Sequence, residues 1–155
     1  MLVELQQGEM AIAQVLAALR NASNRSSNIT NAKVGRQSDY QTDLDGIVAE
    51  LAFAKAMNCC PDFSITPRSG GADAVVKGKR IDVKATRYDK GRLLAVASKE
   101  SADSDIYVLA IVNENVVQFR GWAYSDELLR NDNLTNLGHG KTYALPQHCL
   151  RPFRK

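Results

Sequence analysis

Residues 71–86 hold the feature that most limits what this chain can fold into. Apolar runs on either side of Lys77-Gly78-Lys79 predict a β-hairpin closed by a glycine-bearing turn. Each arm carries an acid, Asp73 on the first and Asp82 on the second, and Lys84 follows Asp82. Side chains alternate faces along a strand, so Asp82 and Lys84 share a face. A two-residue loop of Gly78-Lys79 sets Asp73 opposite Lys84, and one of Lys77-Gly78 sets Asp73 opposite Asp82. Either register gathers Asp73, Asp82 and Lys84 on one face, whereas a three-residue loop sends Asp73 to the other. Two-residue loops containing glycine are the commoner closure. The opposite face then holds Ala72, Ala74, Val76, Ile81, Val83 and Ala85, an apolar surface for packing. Charges on a central strand are costly to bury unless they are paired or bind metal.

The remaining composition bounds the setting. A chain of 155 residues with 45% hydrophobic residues is one domain with one ordinary core. The net charge of +3 does not announce a polyanion binder, but its distribution is uneven. Lys77, Lys79, Arg80, Lys84, Arg87, Lys90 and Arg92 crowd one short stretch against Asp82 and Asp89, and Arg151, Arg154 and Lys155 close the chain. Local positive charge beside an acidic site attracts a polyanion; a solvated lysine-rich hairpin is the alternative. Cys59, Cys60 and Cys149 show no zinc or disulfide spacing, which suits a reducing compartment. No signal-peptide pattern, membrane-length apolar run or nucleotide-binding motif occurs, so the expectation is a cytoplasmic protein with no membrane partner and no nucleotide cofactor.

Along the chain, residues 2–20 read as a helix and 21–42 as a polar connector. A second helix is expected from Asp43 to about Asn58, with Leu44, Ile47, Val48, Leu51 and Ala54 on one face. Glu50 falls on the flank of that face, where it can reach the rim of whatever the helix packs on; an ordinary surface acid is the alternative. Strands are expected at 63–66, 92–97, 105–112, 116–122 and 143–145, with a polar break over 98–104. A short helix is expected over 125–130, and a loop centred on His139 over 131–142. Phe119 and Trp122 are expected in the core rather than as stacking platforms.

The hairpin's residue types suit phosphodiester hydrolysis. Two carboxylates can hold Mg²⁺ or Mn²⁺, hard cations that prefer oxygen ligands, and the carbonyl of Val83 offers a third oxygen. Lys84 can orient a metal-bound water or stabilise charge on phosphorus, and Glu50 can complete the metal shell or fix Lys84. Arg68, Arg87, Lys90 and Arg92 are the candidates for contacting the phosphates of DNA.

The order helical Glu50, then Asp73, then Asp82-Val83-Lys84 resembles the PD-(D/E)XK nuclease superfamily. Gly46–Ala54, Asp105–Leu109, Gly121-Trp122, Tyr143–Pro146 and Leu150–Pro152 resemble flanks of its small phage and prophage branch. The resemblance covers roughly residues 43–152 and leaves the N-terminal segment of about 42 residues unassigned. Ala72 stands where the motif's proline would be, and the stretch 98–104 is too short for the helix that usually follows the third strand. The resemblance implies an α/β fold, a restriction-endonuclease-like mixed central β-sheet flanked by helices. It also implies a deoxyribonuclease using one or two Mg²⁺ ions, endonuclease rather than exonuclease, with a homodimer left open. A non-cleaving module that grips nucleic acid or protein on the same fold is the alternative.

Overall fold

The computed structural model describes residues 1–27, 37–65, 71–100, 103–138 and 140–153. In chain order the elements are β1 (Leu2–Glu4), α1 (Gln7–Ser26), α2 (Asp39–Met57), β2 (Ala74–Val76), β3 (Lys79–Thr86), β4 (Leu93–Val96), β5 (Ile106–Asn113), β6 (Val116–Tyr124), α3 (Ser125–Leu128), β7 (Leu134–Asn136) and β8 (Lys141–Leu145). They make a mixed α/β fold. Among the described residues, no helix is long and apolar enough to cross a membrane.

β5 is the centre. Its residues from Tyr107 to Val112 are all buried, as expected of a strand covered on both faces. It pairs parallel with β3 and antiparallel with β6, within a five-stranded sheet ordered β1-β6-β5-β3-β2. One face of that sheet carries Ile81, Val83, Val108, Ala110, Val117 and Phe119, which pack with residues of α1 and α2. α2 is buried nearly all round, as a helix lying between another helix and a sheet must be.

The other face is covered by strands. β4, β8 and β7 form a separate antiparallel sheet, and Leu93, Ala95 and Leu145 pack on Tyr107, Leu109 and Ile111. The long helices α1 and α2 therefore lie on one face of the central sheet, and Leu128 of the short α3 joins the packing on the other. The strand expected at 92–97 exists as β4, but it leaves the hairpin's sheet to pair with β8.

Other boundaries also move. Leu2–Glu4, expected as helix, pairs with Val116–Gln118 as an edge strand. α1 starts only after Gln6, whose amide donates to the Glu9 carboxylate at 2.6 Å. α2 begins at Asp39, not Asp43, because Ser38 Oγ accepts the Gln41 amide at 3.1 Å and caps it. Asp43 is instead buried and accepts a hydrogen bond from Asn21 of α1 at 2.8 Å. Residues 63–65 lie in no strand, and Thr66 lies outside the described residues. β7 arises in the stretch expected to be loop, whose His139 also lies outside the described residues.

The hairpin closes as one of the two even-loop registers. Val76 pairs with Lys79 and Ala74 with Ile81, so Lys77-Gly78 is the loop; the ladder ends there, and the Asp73 amide donates to the Ile81 carbonyl instead of pairing with Asp82. Both loop residues have positive φ, 49° and 76°, the tight-turn geometry that matches strand twist. Phe119 is 2% exposed and packs edge-on against Phe53 and Phe153, at 5.8 and 6.0 Å between ring centroids.

Gly121 marks the tightest approach of the chain's end. A Cβ there would lie 2.7 Å from the Leu150 Cβ and 2.8 Å from the Arg151 carbonyl oxygen. Trp122 and Arg151 exchange backbone hydrogen bonds at 3.0 and 2.8 Å next to it. Gly121→Ala is expected to cost about 2 kcal/mol through overpacking against backbone, read as a lower urea midpoint. An unchanged midpoint would show that the 150–151 segment yields freely.

Candidate active site

The acidic residues gather at the hairpin's open edge. β2 is three residues long, so the ladder beside β3 stops at Ala74. Asp73 continues it with its side chain, Oδ2 accepting the Val83 amide at 2.7 Å. Its backbone amide donates to the Ile81 carbonyl at 2.8 Å. Asp82, one residue before Val83, points to the face covered by the second sheet and is 3% exposed. Lys84 shares that face, its Nζ 2.6 Å from Asp82 Oδ1. Beneath them lies Tyr107, fully buried, with Lys84 Nζ 6.0 Å from its ring centroid. Burial and then the charge of Asp82 push the phenol's pKa up, so the ring is a neutral wall.

Glu50 projects from the flank of α2 as its periodicity implies, and its side chain is 15% exposed. Arg20 of α1 holds it, Nη1 to Oε2 at 2.7 Å, while donating also to the backbone carbonyls of Asp62 and Ser64 at 2.7 and 2.9 Å. Burial pushes Glu50's pKa up, opposed by Arg20 and reinforced by Asp62 and Asp82. Burial likewise raises Asp73 well above the usual carboxylate range; Glu50 and Asp82 add to this, and the Val83 amide and Lys84 oppose it.

Each of the three carboxylates is turned to a protein partner. Among the described residues no three acidic, histidine or cysteine side chains are grouped so as to ligate one ion. The donor set itself fits a hard cation. It consists of carboxylate oxygens, and both oxygens of Asp82 already face positive charge, Lys84 on one and Lys99 on the other at 3.3 Å.

Two of these residues escape a sequence reading. Lys99 sits in the polar break after β4, and only the packing of the second sheet brings it to Asp82. Arg20 closes the helix expected over 2–20 and gives no local sign that it tethers Glu50.

The expected phosphate contacts divide. Lys90 and Arg92 are exposed, and Arg68 lies outside the described residues. Arg87 is committed to Asp45, a buried acid of α2, with Nε to Oδ2 at 2.7 Å and Nη2 to Oδ1 at 2.9 Å. Gln41 and Gln37 also donate to Asp45, at 2.7 and 3.2 Å. Arg87→Ala is expected to lower stability by about 1–2 kcal/mol, since Asp45 keeps its amide donors, and the urea midpoint is the check. No loss would show the pair to be incidental.

A groove of about 460 Å³ lies at the far end of β5, lined by Arg87, Asp89, Asn113 and Glu114 among others. Its mixed charge and its distance from Asp82 along the strands separate it from the acidic edge. Trp122 and Tyr124 already carry Arg151 at 5.5 and 5.2 Å from their ring centroids, so they are not bare stacking platforms.

Comparison with protein-family models, with curated proteins and with solved structures finds no match. What the chain can do is therefore argued from its own residues.

Proposed function

We propose that this chain is a divalent-metal-dependent deoxyribonuclease of the PD-(D/E)XK kind, an endonuclease on a restriction-endonuclease-like sheet. One observation carries the reading: Lys84 Nζ stands 2.6 Å from Asp82 on one strand, and Asp73 Oδ2 accepts the amide of Val83 between them at 2.7 Å. Three acids crowded at one sheet edge oppose folding, because burial and mutual repulsion both disfavour their charged forms. A site that binds cations gives them a use.

When bound, Mg²⁺ or Mn²⁺ polarises a phosphate and lowers the pKa of a bound water. Asp73, Asp82, Glu50 and the Val83 carbonyl are the ligands in this proposal. Lys84 orients the attacking water or stabilises charge building on phosphorus. Lys90, Arg92 and Arg68 supply phosphate contacts that carry affinity without base choice. Arg87 adds less, because Asp45 neutralises it. The proposed setting is the cytoplasm, with a phage origin and DNA as partner. A homodimer would suit paired cuts in a duplex.

A second reading has one observation in its favour. Arg20, the Val83 amide, Lys84 and Lys99 already satisfy the three acids, as in a non-cleaving module that grips nucleic acid or protein. Incubating wild type and Lys84→Met with duplex, single-stranded and branched DNA, in Mg²⁺, Mn²⁺ or EDTA, separates the two. Metal-dependent cutting by wild type, lost in a folded variant, is the expected result. Binding without cutting by either protein would end the nuclease reading and favour the module.

A further inference from the structure

We propose that the outer face of α1 is the contact between two copies of this chain, paired antiparallel about a two-fold axis at Val15. This gives a surface to the homodimer named above, and it holds whether or not the chain cuts DNA. α1 buries Ala13, Leu16 and Ala17 in the core. A helix with one face in the core ordinarily turns a charged face to water. Here every exposed position between residues 7 and 22 is uncharged. Ile12, Val15 and Leu19 are 47%, 59% and 45% exposed, and Ala11, Ile12, Val15 and Leu16 line an apolar groove of about 320 Å³.

The order of large and small residues selects the occupant. In an antiparallel pair with its axis at Val15, residues equally far from Val15 on either side meet across the axis. Ile12 then meets the partner's Ala18, Leu19 the partner's Ala11, and Gly8 the partner's Ala22, so each large side chain faces a small one. Val15 meets its own copy, as an isologous contact requires. A second copy needs this reversal about one residue, and an unrelated partner does not. The flanking charges do not oppose it. Glu9 is held by Lys55 at 2.8 Å and Arg20 by Glu50 at 2.7 Å, each within its own chain. Antiparallel pairing also brings opposite ends of the helix dipoles together. α1 has 20 residues and is therefore about 30 Å long. Two such faces bury on the order of 1,000 Å² together, the low end of specific interfaces, which suits a dimer of micromolar affinity.

Sedimentation equilibrium without DNA or metal is the test. Wild type is expected to exchange between monomer and dimer with a Kd on the order of 10 µM. Val15→Glu sets two carboxylates together on the axis and should weaken the dimer at least about 100-fold, at an exposed position where an unchanged urea midpoint shows that folding is kept. Val15→Lys should do the same, and an equimolar mixture of the two variants should recover the dimer, since unlike charges then meet. Ile12→Glu and Ala18→Lys should dimerise more tightly mixed than either does alone, because the antiparallel pairing brings positions 12 and 18 together. A wild type that stays monomeric up to about 200 µM would give the face to another occupant and overturn the proposal. So would a dimer that Val15→Glu leaves intact, or mixtures that gain nothing. None of these outcomes bears on cleavage, so the nuclease reading stands or falls by its own test.

Discussion

Lys84→Met is expected to lower metal-dependent cleavage by about 10²–10⁴-fold while leaving the protein folded. The rate loss follows from its place: its ammonium is 2.6 Å from Asp82, two residues along the same strand, where it can meet a phosphate or the attacking water. Retained folding follows from its surroundings. The side chain is 34% exposed, and Lys99 remains on the other oxygen of Asp82. The stability cost should therefore stay within about 1 kcal/mol, as for a partly exposed ion pair. Asp82→Asn is the contrasting case. It keeps the shape but leaves two ammoniums facing an uncharged amide, so it should lose both cleavage and Mg²⁺ binding and cost about 2–3 kcal/mol. Urea midpoints alongside cleavage rates distinguish a chemical from a structural role. A Lys84→Met protein that unfolds readily, or that folds and still cuts, would remove Lys84 from the chemistry.

The contrast between Lys84 and Lys99 shows which parts of such a site are legible in a sequence. Asp82 and Lys84 are two residues apart on one strand, so period-two alternation alone puts them on one face. The hairpin register is also accessible, because the glycine favours an even loop, whereas the end of the ladder at Ala74, which leaves Asp73 bonded to Ile81, has no local signal. Glu50 follows from the helical period of α2, which survives a shift of the helix start from Asp43 to Asp39. Contacts between elements carry no such local signal. An apolar run such as Leu93–Val96 reads as a strand whichever sheet it joins, so its pairing with β8 is not foreseeable and the place of Lys99 is hidden with it. Arg87 misleads for a related reason: a basic residue looks the same in sequence whether it faces solvent or a buried acid some forty residues away. Leu2–Glu4 merges with the helix that follows it, since three residues are too few to show a period of their own.

Metal is expected to stabilise the protein increasingly as pH rises, and the metal-free protein should lose stability over the same range. Burial and mutual repulsion raise the folded-state pKa of Glu50 and Asp73, so between their unfolded and folded values the native state binds more protons than the unfolded chain. Stability then falls as pH rises: the contribution is intact below about pH 4, near ordinary carboxylate values, and is lost upward through the raised pKa values. Glu9, Asp105 and Glu127 behave oppositely, their pKa values being lowered first by hydrogen bonds from Lys55, Arg80 and Arg151 respectively. Their contribution is present above the ordinary values and is lost as pH falls below about 4, so the two sets act in separate windows. A cation that binds the deprotonated acids reverses the upper-window loss, by about 2.7 kcal/mol at a hundred times its dissociation constant. Urea midpoints in EDTA and in Mg²⁺ at pH 5 and pH 8 measure this directly. Glu50→Gln with Asp73→Asn should abolish both the metal effect and the upper-window loss. An Mg²⁺ effect equal at the two pH values, or one that survives the double substitution, would mean that the ion binds elsewhere and that these carboxylates are not its ligands.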